Sequence, residues 1–337
     1  MTLSPSNALS ILGIETSCDD TAAAVLHGKR ILANVVSSQD EVHGPYGGVV
    51  PELASRHHIR NIVPIIDQAL STAGASLEQL DGIAVTCGPG LVGSLLVGVS
   101  LAKALATAKG LPLIGVNHLE GHLLAVPLEQ EVAFPFLCLL VSGGHTCLYL
   151  ARDWGDYQLL GGTRDDAAGE AFDKAAKMLG LGYPGGRVID KLAQNGGPAA
   201  LRFPRAHLKT DTYSFSFSGL KTALRHFLQA QGRTTYRDED IAASYQEAVI
   251  DMLVEPTLRA ARDLGLERVV VSGGVSANSR LRKRMTAEGE QCGLRVFVPS
   301  LKLCTDNAVM IAFAGAWRLA RGQRAALQLN ASATLRL

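Results

Sequence analysis

The chain of 337 residues has no C-x-x-C pair; its six cysteines, at 18, 87, 138, 147, 292 and 304, stand singly. That scatter excludes a zinc ribbon, argues against a disulfide framework, and fits the reduced thiols of a cytoplasmic protein. No lysine or arginine precedes Lys29, so neither a secretory signal nor an arginine-rich transit peptide is expected. An excess of either charge is lacking too. Thirty-two Lys and Arg against 31 Asp and Glu leave a net of +1, so no global field announces nucleic acid or a membrane surface. Long hydrophobic runs are also missing. The most apolar segment, Leu91 to Ala102, is too short to span a bilayer and is followed by Lys103. It reads as a buried helix of small residues, and no membrane partner is expected. Glycine, by contrast, is plentiful at 35 residues and gathers at strand ends, where turns or close approach to a ligand call for it. Length alone suggests two lobes of ordinary size.

One stretch organises the rest: His118-Leu119-Glu120-Gly121-His122. On a helix, residues four apart lie about 40° apart around the axis, so both imidazoles share a face at a separation one divalent metal accepts. On the pair alone the commoner reading is a packed or solvated histidine, with the spacing due to chance. The stretch also resembles the metalloprotease motif H-E-x-x-H, in which the glutamate flanks the metal. Here Glu120 falls about 200° from His118 and points away, so protease chemistry is disfavoured.

Along the chain, apolar runs at 11–14 and 21–26 flank the polar turn Glu15-Thr16-Ser17-Cys18-Asp19-Asp20, a β-hairpin whose tip suits phosphate, a hydrated metal, or only a turn. A helix is expected from about Leu53 to Ala73, kinked or broken at Pro64, with Arg56, His57, His58 and Arg60 on a solvated face. Strands at 83–86 and 113–116 precede the histidines. Gly88 to Gly93 open the small-residue helix, where Gly93 is expected to be a packing position. Strand 136–141, the turn Ser142-Gly143-Gly144-His145-Thr146 and strand 147–151 repeat the first hairpin, which implies two similar lobes. A helix over 165–179 carries the (i, i+4) pairs Glu170–Lys174 and Asp173–Lys177. After helices near Val188, from Ser218 and over 239–263 comes strand 268–272. The turn Gly273 to Asn278 that follows suits a nucleoside. Strand 296–298, a helix capped by Thr305-Asp306-Asn307 and an irregular tail from Arg321 complete the chain. With so little net charge, any nucleic-acid affinity must come from local clusters such as Arg280 to Arg284, or Arg202, Arg205 and Lys209.

The two hairpins with polar tips and the later Gly-Gly turn follow the order of the actin-like ATPase fold. The resemblance narrows with residues 15–21, Gly47 to Arg56, the histidine stretch, Val141 to Thr146, Asp165 to Lys174, Phe215 to Thr222, Gly273 to Asn278 and Cys304 to Asn307. Together these closely resemble the tRNA N6-adenosine threonylcarbamoyltransferase family, TsaD, in order over roughly residues 10 to 320. Three departures stand out: Arg187 where proline is common, a tail 330–337 without a basic ending, and nine extra residues at the start.

The resemblance implies an α/β protein of two actin-like, ribonuclease-H-like lobes, 1–128 and 129–309, with 310–337 packing back on the first and the active site in the cleft between them. It implies transfer of a threonylcarbamoyl group from threonylcarbamoyl-AMP to N6 of adenosine 37 of tRNAs reading ANN codons. Metal ligands carry over to His118, His122 and Asp306, with iron(II) the expected ion and zinc the substitute. Substrate contacts carry over to Val141, Ser142, Gly143, Gly144, His145, Asp173, Gly186, Asp190 and Asn278, a site that ATP or ADP can also occupy. Asp19 matches an acidic position suited to orienting or deprotonating the amine. The implied partners are tRNA, a TsaB-like paralogue and a small TsaE-like ATPase, in the cytoplasm. The rival reading is an ATP-dependent small-molecule kinase of the same fold, with a chaperone-like ATPase third; neither accounts for a metal triad.

Overall fold

A computed structural model describes residues 8–206, 213–230 and 232–337. Lys209 lies outside them. The chain divides into two compact units, Met1–Glu129 with Asp306–Leu337, and Gln130–Thr305.

The first unit is built on β1 (Ser10–Glu15), β2 (Thr21–His27), β3 (Arg30–Ser37), β4 (Gly82–Gly88) and β5 (Leu113–Asn117), in the order β3-β2-β1-β4-β5. Strands β1, β2 and β3 form an antiparallel meander, whereas β4 and β5 run parallel to β1. Its helices are α1 (Asp40–His43), α2 (Pro51–Ala73), α3 (Val92–Lys109) and α4 (His118–Glu129). Pro51 starts α2 where a missing N–H costs nothing, and Gly74 ends it at φ 62°, taking the left-handed cap that glycine adopts without strain. Pro64 neither breaks α2 nor ends it.

The second unit repeats the plan. Strands β6 (Phe136–Val141), β7 (Thr146–Asp153), β8 (Asp156–Gly162), β9 (Arg268–Ser272) and β10 (Arg295–Phe297) lie in the order β10-β9-β6-β7-β8. Again a central strand has an antiparallel hairpin on one side and parallel strands on the other. The helices are α5 (Ala168–Leu179), α6 (Gly185–Ala193), α7 (Ser218–Gln229), α8 (Gly232–Thr235), α9 (Asp238–Asp263) and α10 (Ser279–Gln291). The repeat inferred from the two polar-tipped hairpins is thus a repeat of whole sheets.

Helix α11 (Ala308–Ala320) returns to the first unit, and ten consecutive residues from Ala308 to Trp317 are buried. It packs on β1, β4 and α4. Glycines make this possible. A Cβ on Gly13 would sit 2.2 Å from the Ala308 carbonyl oxygen, one on Gly315 2.3 Å from Ala84 Cβ, and one on Gly121 2.9 Å from Ile311. Beyond α11 the tail is irregular but bound: Ala325 N–H donates to Leu113 O at 2.7 Å and Ser332 N–H to Cys87 O at 2.8 Å.

Helix α3 is the expected small-residue helix, Val92–Lys109, but its full length makes it the one helix among the described residues with the length and apolarity to cross a membrane. A third of it is buried, and its stripe Ser94, Leu95, Gly98, Val99, Ala102 and Ala106 faces the protein interior. Gly93 is a packing position as expected, but the closest approach is at Gly98. A Cβ on Gly93 would meet Ser55 Cβ at 3.3 Å, whereas one on Gly98 would lie 2.4 Å from Thr16 Oγ1, which donates to Ser94 O. Gly98→Ala is therefore expected to cost about 1–3 kcal/mol, the usual range for overpacking, and Gly93→Ala much less. Urea denaturation of both variants checks this; equal losses would mean that the helix shifts freely over the hairpin turn.

Candidate metal centre and strand-end loops

His118 and His122 open α4 directly after β5, so a strand end and a helix start fix their position. Their ring centroids are 4.7 Å apart with planes at 85°. Asp306, on the residue pair that leads into α11, completes the group: Oδ1 lies 3.0 Å from His122 Nε2 and 3.6 Å from His118 Nε2. Asn307 caps α11 by accepting the Met310 N–H at 3.0 Å, which fixes the chain direction at Asp306. One ligand atom from each of the three residues lies within 4.8 Å of the others. Ligands about 2.1 Å from an ion lie about 3.0 Å apart at right angles and about 3.4 Å apart at the tetrahedral angle. The observed separations suit a metal.

The surroundings agree. Glu15, fully buried at the end of β1, accepts from His118 Nδ1 at 3.0 Å and from Thr86 Oγ1 at 2.6 Å, while its other oxygen accepts the Ser17 N–H. A carboxylate only accepts, so His118 carries a proton on Nδ1, and Nε2 is the nitrogen that faces Asp306. Burial opposes the charge on both partners. For His118 the neighbouring Glu15 and Asp306 outweigh it and lift the pKa to about 9. For Glu15 the histidine outweighs it and holds the carboxyl below its usual value. Two imidazoles and one carboxylate, with a second carboxylate behind one imidazole, can hold a divalent metal. Glu15 was visible in the sequence only as a turn residue; the missing signal was its partner, 103 residues away.

Glu120 is fully buried and away from this group. Its Oε2 accepts from Arg318 Nε and Nη2 at 2.9 and 2.7 Å, tying α4 to α11. It has no base's position beside His118, His122 and Asp306.

The hairpin turn after β1 holds Asp19 and Asp20, both partly buried. Burial, then the charge of Asp306, raises the pKa of each, Asp20 to about 8. Asp20 is a perturbed carboxyl that sequence reading passes over, since nothing in the run Asp19-Asp20 ranks one above the other. His58 departs from its expected solvated face. It is buried, with Nδ1 2.8 Å from Thr21 Oγ1 and Nε2 2.9 Å from Cys18 O, and so braces the same turn.

In the second unit the remaining expected site residues collect beyond the C-terminal ends of the parallel neighbours β6 and β9. In open α/β sheets that edge is where ligands bind. The Val141–His145 turn is closed by Ser142 N–H to His145 O at 2.8 Å and by His145 N–H to Ser142 Oγ at 3.1 Å. It rests on α5, whose Gly169 and Glu170 N–H groups donate to Ser142 O and Gly143 O, both at 3.2 Å. The N–H groups of Gly143 and Gly144 donate to nothing among the described residues, and a Cβ at either would meet no atom within 4 Å. Gly273, at φ 90°, lets β9 end against Val141, where a Cβ would lie 2.4 Å from the carbonyl oxygen. Asp173, on α5, accepts the Gly185 N–H at 2.7 Å and so seats α6, with Gly186 facing open space. Asp190 on α6 accepts Ser279 N–H and Oγ at 3.0 and 2.8 Å. Asn278 caps α10 through Leu281 N–H at 2.9 Å and donates to Gln246 at 2.7 Å. The metal-type residues and Asp19 thus belong to one unit, and the loop residues to the other.

The sequence profile of TsaD, tRNA N6-adenosine threonylcarbamoyltransferase, matches residues 30–313. The chain belongs to this family. A tRNA N6-adenosine threonylcarbamoyltransferase of Anaeromyxobacter dehalogenans (strain 2CP-C) is 59% identical over 331 residues, 97% of this chain and 99% of that one. One of Syntrophotalea carbinolica is 54% identical over 324 residues, covering 95% of each. Membership favours tRNA modification over the kinase alternative. Among solved structures, full-length HypF is similar over 93% of this chain and 56% of its own, with a TM-score of 0.62 at 14% identity. A ROK hexokinase from Thermus thermophilus gives a TM-score of 0.52 at 15% identity, covering 93% and 100%. Those likenesses carry the actin-like fold and nothing about activity.

The low net charge left any nucleic-acid contact to local basic clusters, and there the structure places carboxylates beside three of the arginines. Arg280 Nε and Nη2 lie 2.7 and 2.9 Å from Glu247, Arg205 Nε and Nη2 lie 2.9 and 2.6 Å from Asp251, and Arg284 pairs with Glu247, Asp251 and Glu288. These arginines line a groove of about 1170 Å³ together with Glu247, Asp251, Glu255 and Glu288. Their charge is matched by carboxylates, which leaves little field for a phosphate.

Proposed function

We propose that this chain transfers the threonylcarbamoyl group of threonylcarbamoyl-AMP to N6 of adenosine 37 in tRNAs reading ANN codons. The reading rests on 59% identity, over 97% of the chain, to a protein named for this transfer. In the reaction the adenosine amine attacks the carbamoyl carbon. The new C–N bond replaces the C–O bond to phosphate, AMP leaves with the electron pair, and the amine gives up a proton. The donor is already activated, so no covalent nucleophile is needed. What remains is orientation, charge stabilisation and a proton acceptor.

The unengaged amides of Gly143 and Gly144 form a cradle for the adenylate phosphate, in the manner of other backbone nests. The open space over Gly186 takes the nucleoside, flanked by Asp190, whose carboxylate keeps acceptor capacity beyond its two bonds to Ser279. Asp173 and Asn278 act through the α6 and α10 starts that they cap or seat. Asp19 accepts the amine proton, a role that its raised pKa suits. His118, His122 and Asp306 hold iron(II), with Glu15 fixing the His118 tautomer. When bound, such an ion supplies Lewis acidity toward a carbamoyl or phosphate oxygen. A TsaB-like paralogue, a TsaE-like ATPase and a cytoplasmic setting belong to the same reading.

The test is transfer of labelled threonylcarbamoyl to purified tRNA, with and without those two partners. The expected result is one AMP released per modified adenosine, no phosphorylation of sugars or carboxylates from ATP, and a loss of about 10²–10⁴-fold in Asp19→Asn. Unmodified tRNA in the complete mixture, with a phosphorylated small molecule instead, would return the kinase to first place.

A further inference from the structure

Several residues of the segments Asp165 to Lys174 and Phe215 to Thr222 have no part in the transfer chemistry above. In the fold these two segments meet. Asp165 accepts from Ser216 Oγ, Ser218 Oγ and the Phe217 and Ser218 N–H groups, and thereby anchors the start of α7 against the approach to α5. Next to it, Asp166 pairs with Lys174 of α5 at 2.8 Å through Oδ1 and with Lys221 of α7 at 3.1 Å through Oδ2. Glu170 holds Lys174 a second time, at 2.6 Å. Burial works against charge at Lys174, yet these carboxylates keep its pKa above the ordinary value.

Between α5 and α7 this arrangement leaves a groove of about 200 Å³, lined by Lys174, Lys177, Met178, Lys221, Thr222 and Arg225. Four of the six are cations and none is an acid. Lys177 and Arg225 are exposed, and among the described residues no carboxylate lies within 4 Å of either. The contrast with the larger arginine groove is direct: there every paired guanidinium faces a carboxylate, and here two cations point outward on a floor of two more. The groove is also placed along the helix that supports the Val141–His145 turn. From Glu170, bonded to Gly143 O, to Lys177 is seven residues of α5, roughly 10 Å at about 1.5 Å each. At about 3.4 Å per stacked nucleotide that is about three nucleotides of one strand.

We infer that the α5–α7 groove binds backbone phosphates of the tRNA strand that carries the acceptor adenosine, with Lys177 and Arg225 as the contacting cations. This rests on the transfer reading above. Each cation–phosphate contact on single-stranded nucleic acid releases counterions and contributes about 0.7 to the slope of log K against log salt.

The test is tRNA binding by fluorescence anisotropy for the full chain and for Lys177→Gln/Arg225→Gln, titrated between about 50 and 200 mM salt. The double variant is expected to bind about 10-fold more weakly at the low end and to lose about 1.4 from the slope. Lys283→Gln, an exposed cation on α10, serves as the control and is expected to change neither much. Equal affinity and slope in the double variant would overturn this inference while leaving the transfer reading intact. Absence of tRNA binding by the unaltered chain at the lowest salt, alone and in the presence of the two partners, would overturn both. Inorganic phosphate or ATP that protects the groove from lysine modification, where tRNA does not, would mark it as a small-anion site and overturn the inference as well.

Discussion

His118→Ala, His122→Ala and Asp306→Ala are each expected to lower metal affinity by more than about 100-fold while the protein stays folded. Loss of an outer partner of a metal ligand costs about 10–100-fold, so loss of a ligand itself lies at or beyond the upper end. Folding should survive because none of the three residues is a large apolar core residue, and Asn307, which caps α11, is untouched. Glu15→Gln is the graded member of the series. The amide keeps the shape and a hydrogen bond to His118 Nδ1 but no longer demands that this nitrogen carry the proton, so a loss of about 10–100-fold is expected. Competition with a chelator of known affinity, beside thermal melts, reads both quantities. Full metal occupancy in all three alanine variants would remove the metal centre from this group of residues.

Arg318→Met is expected to be among the most damaging changes away from the site. It takes the guanidinium from Glu120, which is fully buried, and breaking a buried pair from one side costs about 3–5 kcal/mol. Replacing both residues, as Glu120→Met/Arg318→Met, should recover much of the loss, since two apolar side chains leave no buried charge behind. Urea titration of the two single variants and the double completes the cycle. A single variant that loses less than about 1 kcal/mol would show that Glu120 is not held by Arg318 in solution. The same double variant bears on protease chemistry: transfer should persist without Glu120, and no peptide cleavage should depend on it.

How far these sites were legible depends on how far apart their parts lie in the chain. The shared face of His118 and His122, and the direction of Glu120, follow from helix periodicity alone, because four residues and two residues are local distances. Asp306 is 184 residues from His122, and Glu15 is 103 from His118. Spacing carries no information at that range; only the family resemblance brought Asp306 forward, and Glu15 came from the coordinates. The inner strands were legible because burial on both faces gives continuous apolar runs, as in Phe136–Val141. Outer strands β3 and β8 were not. Each is only partly buried, and Asp156–Gly162 in particular offers no unbroken apolar run. The pairing of the basic clusters was hidden for a related reason: a count of arginines along α10 does not see Glu247 and Asp251 on α9, which lie opposite them.

The passage of α11 back to the first sheet has a consequence for how the protein is made. Everything the second unit needs lies between Gln130 and Thr305, so it is complete in the nascent chain once Thr305 has emerged. The first unit, although begun earlier, must wait. Until Asp306 and the helix behind it leave the ribosome, Gly13, Gly121 and Ala84 have no covering helix and His122 has no carboxylate to face. Domains generally fold in the order of their synthesis. Here the first to be started is the last to be finished, and a site that needs His118, His122 and Asp306 together is complete only once Asp306 has emerged.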